Sequence, residues 1–143
     1  MKKIIVGISG ATGAIYGIRL LEILRAVEGV ETHLVLSPAA RRTIDLETDL
    51  TVAQVEALAD RVYRPGDIAA AISSGSFRSA GMVVAPCAMK TASGIATSYS
   101  DNLLLRAADV TLKDRRRLVL LVRETPLHLG ICGCSCSSPR WAL

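Results

Sequence analysis

The sequence predicts an α/β protein built as a doubly wound parallel sheet, and three observations carry that expectation. Apolar runs of strand length, 3–8, 31–37, 81–86 and 118–122, alternate with segments of helical periodicity. The runs are near-continuous rather than alternating, as expected of strands covered on both faces. No repeat or long linker interrupts the alternation, so the 143 residues read as one domain with enough chain to bury a core.

Taken in order, residues 3–8 form the first strand and 14–26 the first helix, with Ile15, Ile18, Leu21 and Leu24 as its apolar stripe and Arg25 in a basic last turn. Residues 31–37 form the second strand. A short helix covers 39–46 with Arg41 and Arg42 turned outward, and Glu47-Thr48-Asp49 interrupts it. Thr51 caps a helix through Ala59. Val62-Tyr63 is a short third strand before the Pro65-Gly66 turn, and Asp67 caps a short helix over 68–72. Ser73 to Phe77 reads as a loop, either a flexible connection or a ligand-facing one. The strand 81–86 ends in Pro86, and a helix starts directly from Cys87. Residues 102–113 are helical, and 118–122 are the last strand, with Arg123-Glu124 at its end.

The organising stretch is the first strand and the loop after it, Gly7-Ile8-Ser9-Gly10-Ala11-Thr12-Gly13-Ala14. Glycines permit close backbone approach, Ser9 and Thr12 add hydroxyls, and the next helix presents unpaired N–H groups to an anion. The predicted result is a phosphate cradle in the Gly7–Gly13 loop. Its G-x-x-G-x-x-G spacing departs from the G-x-G-x-x-G of dinucleotide sites, and the second strand ends in Ser37-Pro38 rather than in an acid for a ribose. A mononucleotide such as FMN fits better than NAD(P); a purely structural glycine turn is the third reading. Ser37, Ala88 to Thr91 and Arg123-Glu124 fall at other strand ends, where ligands of open α/β sheets bind. Taken singly, Arg123 and Glu124 could be a surface pair contributing about 0–1 kcal/mol.

Composition narrows the partners. Seventeen Lys and Arg against 13 Asp and Glu give a net charge of +4, which suits an anionic ligand. With one Phe, one Trp and three Tyr, and no basic helix interleaved with aromatics, nothing points to nucleic acid. Half the residues are hydrophobic and the mean hydropathy is +0.38, yet no apolar stretch approaches the ~18 residues of a membrane span. Lys2-Lys3 and the apolar residues after them are too short for a signal peptide before Gly7–Gly13 intervenes. The excess apolar surface is expected to meet further copies of the chain. Cys87 is the one cysteine before the last dozen residues, which fits a reducing cytoplasm, and no metal-ligand set stands in this body. Cys87 itself reads as a small core residue.

Several ordered segments together resemble a known family. Gly7 to Ala14, Glu31-Thr32-His33-Leu34-Val35, Ile72 to Phe77, Pro86-Cys87-Ala88-Met89-Lys90-Thr91, Arg106-Ala107-Ala108-Asp109-Val110 and Arg123-Glu124-Thr125-Pro126-Leu127-His128 are similar to the flavin prenyltransferases of the UbiX/Pad family, formerly called 3-polyprenyl-4-hydroxybenzoate or phenylacrylic acid decarboxylases. The resemblance covers residues 1–130 essentially without gaps. It implies a flavodoxin-like Rossmann fold of three layers, assembled as a dodecamer with FMN at subunit interfaces. It further implies transfer of a dimethylallyl group from dimethylallyl phosphate to N5 and then C6 of reduced FMN, without metal, to serve a UbiD-type decarboxylase, as in ubiquinone synthesis.

Carried over by position, the resemblance assigns FMN contacts to Gly10, Ala11, Thr12, Ser37, Ala88, Met89, Lys90, Thr91 and Arg123. Thr12 stands where many members have Ser and keeps the hydroxyl. Thr12, Glu47 and Glu124 are the implied catalytic residues, and Arg106 and Lys113 are implied at the prenyl phosphate. Cations there neutralise a leaving phosphate, while carboxylates and hydroxyls handle protons at the flavin.

From Ile131 the likeness stops, so 1–130 is expected to be the flavoprotein domain and 131–143 an aberrant tail. A one-base frameshift is the expectation for this change: codons permitted from Gly130 to Cys134 read His-Leu-Arg-Leu when shifted, though the residues do not force them. The family's late Tyr and Arg for the prenyl phosphate have no counterpart in it, so FMN binding is expected to outlast prenyl transfer. Cys132, Cys134 and Cys136 with His128 offer a competing soft-metal reading. Two other functions stay open: an FMN-dependent decarboxylase acting on a cysteinyl substrate, and an inactive FMN-binding remnant.

Overall fold

The computed structural model describes residues 1–124 and 129. Along the chain run β1 (Lys2–Ile8), α1 (Ala14–Arg25), β2 (Val30–Leu36), α2 (Pro38–Glu47), α3 (Val52–Glu56), β3 (Arg61–Tyr63), a 3₁₀ turn (Ala71–Ser73), β4 (Gly81–Cys87), α4 (Met89–Ala96), α5 (Leu103–Lys113) and β5 (Arg117–Val122). The five strands among the described residues are all parallel, in the order β3-β2-β1-β4-β5. The doubly wound α/β sheet of three layers is therefore present.

Alternate side chains of β1 and β2 serve two cores, as the two-residue period of a strand requires, while β4 and β5 feed the first of them and leave Val83 and Val119 half-buried on the other face. Ile5, Val35, Met82, Val84, Leu118 and Leu120 pack with residues of α4 and α5. Val6, Ile8, Leu34 and Leu36 pack with α1, α2 and α3 through Ala14, Ile18, Leu21, Ala40, Ile44 and Val55. Burying both faces explains why the central strands carry apolar residues without alternation.

Helix starts are fixed by local side chains. Ser37 accepts from the Ala40 N–H at 3.0 Å, with Pro38 in the first turn of α2. Thr51 and Gln54 form a reciprocal capping box on α3, and Asn102 accepts from the Leu105 N–H at 2.9 Å to start α5.

Three expectations change. The helix placed over 68–72 is absent: Asp67 and Ala70 make backbone turns to Arg64 and between themselves, and one 3₁₀ turn comes next at Ala71–Ser73. The helix reaching to Ala59 stops at Glu56. The helix expected from Cys87 starts at Met89, because β4 runs through Cys87 and its end is tied to β1. Among the described residues no helix is long and apolar enough to cross a membrane. The tail 131–143 and His128 lie outside the described residues, and with them the frameshift and soft-metal readings.

Candidate active site

The strand order reverses between β1 and β4: β2 and β3 lie on one side of β1, while the chain later returns to build β4 and β5 on the other. Crossovers diverge there, and the carboxyl ends of the two strands open a crevice. Ser9 closes its floor. Its hydroxyl donates to the Pro86 carbonyl at 2.8 Å and accepts from the Ala88 N–H at 2.6 Å, and the residue is 1% exposed. The hydroxyl expected to meet a ligand is instead a brace that aligns the end of β1 with the start of α4.

Beyond Ser9 the loop is shaped by close contacts. A Cβ on Gly10 would lie 2.3 Å from the Ala39 Cβ, so only glycine lets α2 pack this closely on the loop. Gly13, at φ +105°, turns the chain into α1 in the left-handed region that glycine tolerates. A Glu47 carboxylate oxygen, brought back from the end of α2, accepts from the N–H groups of Gly13 at 2.9 Å and Ala14 at 3.3 Å. The α1 terminus therefore already holds an anion, and it belongs to the protein. This corrects the expectation that those N–H groups wait for a phosphate: a dianion there would face the Glu47 carboxylate. Arg123 sits on the same loop, donating to the Thr12 carbonyl at 3.1 Å with its guanidinium 5.4 Å from the Tyr16 ring centre. Thr12, Glu47 and Arg123 thus meet at one end of the crevice.

The other end is a groove of about 640 Å³ between α2 and α4, within the size range of small-molecule sites. Gly10, Ser37, Ala88, Lys90 and Thr91 line it, as the sequence leads one to expect, and so does Arg42. Ala88 starts α4 without a side-chain cap, so the N–H groups of the first turn face the groove's end with no side-chain partner. Neither Lys90 nor Arg42 pairs with an acid among the described residues, whereas Arg41 is held by Glu56 at 2.6 Å. An uncapped helix start beside two unpaired cations is a donor set suited to a phosphate monoester. The residues present fit FMN. Met89 packs its side chain against the core instead of lining the groove, which leaves only its backbone for a ligand.

Other assigned residues lie apart. Arg106, on α5, is 3.4 Å from Asp109 and does not line the groove. Lys113 ends α5, which runs back from the crevice for roughly 16 Å at 1.5 Å per residue to the amino edge of the sheet, so it does not reach the groove of its own chain. Glu124 is exposed just beyond β5 and next to Arg123. Cys87 is 2% exposed and burial pushes its thiol up to about 12, so it is a packing group.

Sequence reading misses Arg42 and Tyr16. By pattern Arg42 groups with Arg41 as outward, yet it lies three residues after Ala39 and four after Pro38, which places it on the helix face they share. That spacing is the available signal.

Comparison with known proteins agrees with this architecture. The Flavoprotein family matches residues 1–128. The flavin prenyltransferase UbiX of Escherichia coli K12 is 65% identical over 130 residues, 91% of this chain and 69% of that protein. Among solved structures, a dodecameric FMN-dependent UbiX-like decarboxylase from Escherichia coli O157:H7 superimposes with a TM-score of 0.93 at 52% identity, covering 94% of this chain and 73% of the other. AnUbiX (PadA1), solved in complex with FMN and dimethylallyl pyrophosphate, gives 0.91 at 51% identity, with 93% and 70% covered. Fold and crevice define a flavodoxin-like flavoprotein. The chain belongs to the Flavoprotein family and, within it, to the UbiX flavin prenyltransferases.

Proposed function

We propose that this chain is a cytoplasmic flavin prenyltransferase, moving a dimethylallyl group from dimethylallyl phosphate to N5 and then C6 of reduced FMN. A UbiD-type decarboxylase receives the product. The observation that carries this reading is the polarity of the crevice: unpaired cations and a free helix start at one end, a carboxylate already on the α1 terminus at the other. Residues 1–130 are the FMN-binding domain, a reading supported by the family match.

In this reading the flavin phosphate lies against Ser37 and the first turn of α4, Ala88 to Thr91, with Lys90 as counter-charge. Gly10, Ala11 and Thr12 back the flavin towards the β1 loop. Reduced FMN, when bound, supplies the nucleophilic N5 and C6. Arg123, fixed by the Thr12 carbonyl and Tyr16, orients the ring from the β5 side. The Thr12 hydroxyl and the Glu47 carboxylate hold or take a proton at the reacting edge, with Glu124 as a second carboxylate nearby. Arg106 and Lys113 lie outside this chain's groove, so their part in neutralising the leaving phosphate is played in a neighbouring subunit of a homo-oligomer.

Incubation of the protein with reduced FMN and dimethylallyl phosphate, with mass analysis of the released flavin, tests the proposal. Flavin heavier by one dimethylallyl group is expected; flavin recovered unaltered contradicts it.

A further inference from the structure

We propose that Arg42 is a flavin-phosphate recognition residue, closing on the phosphate from α2 while Lys90 does so from α4. The inference rests on the proposed FMN reading and extends it to a residue that the family resemblance leaves without a role. α2 carries two adjacent arginines with opposite fates. Arg41 is consumed by Glu56 at 2.6 Å, beside α3. Arg42 lines the groove and has no hydrogen-bond or ion-pair partner among the described residues. Its position is set by Ser37, whose hydroxyl caps α2 and whose residue also lines the groove, so a fixed helix start aims Arg42 at the same space. Across from it Lys90 projects from the first turn of α4. Asp101 lines the groove as well, but its carboxylate accepts from the Asn102 side chain at 3.0 Å. Two free cations facing one uncapped helix start outweigh that single acid and select a dianion over a neutral alcohol.

Arg42 therefore discriminates FMN from riboflavin, the same ring without the phosphate. The test compares dissociation constants of FMN and riboflavin, by flavin fluorescence, for the full chain and for R42Q, R42K and R41Q. The wild type is measured first: failure to prefer FMN to riboflavin overturns the FMN reading itself, and this inference with it. Given that preference, R42Q is expected to weaken FMN by about three- to tenfold, the range for an exposed charge-assisted contact. Riboflavin should be unchanged, R42K should restore most of the loss, and R41Q should leave the ratio of the two affinities intact. An unchanged ratio in R42Q overturns the proposal while leaving the FMN reading standing. Equal weakening of FMN and riboflavin, or an R41Q effect as large as that of R42Q, also overturns it, since either reports general structure or distant charge rather than contact. The same R42Q protein, titrated with dimethylallyl phosphate, should match wild type; selective loss there would assign Arg42 to the prenyl donor and contradict the assignment made here.

Discussion

At the scale of single residues, Glu47 is a cap by observation and a reagent by the proposal made above. Its carboxylate takes two N–H groups at the start of α1, where a negative charge is favoured by the helix dipole. Replacing it with Ala should lower stability by about 1 kcal/mol, as loss of a helix-start acceptor does. Gln keeps an acceptor oxygen but cannot take a proton. E47Q should therefore unfold near the wild-type denaturant midpoint and yet lose prenyl transfer by roughly 10²–10⁴-fold, the span of general acid–base contributions. Wild-type transfer by E47Q would remove Glu47 from the chemistry. A second residue sets a pH dependence. His33 is 2% exposed, its Nδ1 lies 3.0 Å from the Tyr63 hydroxyl, and its ring meets Phe77 edge-on. Nε2 has no aligned partner although Glu31 Oε1 is 3.4 Å away. Burial lowers the His33 pKa from 6.5; Lys3 and Arg61 add to that, while Glu31 and Asp60 oppose it. The unfolded chain then binds the proton more readily, so stability falls as pH drops below about 6.5 and is unaffected by His33 above it. Urea midpoints measured across that window should decline in wild type and stay flatter in H33Q. Asp60, whose carboxylate is held below 3.8 by the Thr32 N–H and hydroxyl, loses its contribution only in a separate, more acidic window.

At the scale of elements, packing outweighs propensity in α1. A Cβ on Gly17 would come within 2.2 Å of the Ala85 carbonyl oxygen and 2.7 Å of Ile8, so the helix rests directly on β4 and β1. Alanine would gain about 1 kcal/mol of helix propensity in an open site. Here the clash with backbone should reverse the sign and cost about 1–3 kcal/mol, as overpacking does. A thermal midpoint for G17A at or above wild type would show that α1 can lift away freely. Strands, helices and their order were legible from periodicity because that signal is local. The cap at Thr51 was readable for the same reason. What escaped sequence reading depends on partners far along the chain: Ser9 closing on Pro86, 77 residues away, and Glu47 reaching Gly13, 34 residues back. No local pattern says that a loop's hydroxyl will brace two strands, or that a helix start will be filled from within. The mistaken helix at 68–72 is the converse case, an apolar stretch whose backbone closes turn by turn instead.

At the scale of the whole molecule, apolar side chains remain outside both cores. Tyr16 is 49% exposed, Ile23 63% and Leu46, next to Glu47, 86%. With the excess apolar composition, this predicts self-association. Sedimentation should find species well above the 15.2 kDa of one chain, and I23E should shift them downward; a single monomeric species in wild type would contradict the expectation. In the proposed function, the crevice is divided between phosphate at the α4 end and chemistry at the Glu47 end. A crystal structure of the protein with FMN tests it most directly. The phosphate is expected within hydrogen-bonding distance of Ser37 and the first-turn N–H groups of α4, with Glu47 still accepting from Gly13 and Ala14. A phosphate seated on Gly13 and Ala14, with Glu47 displaced, would contradict it.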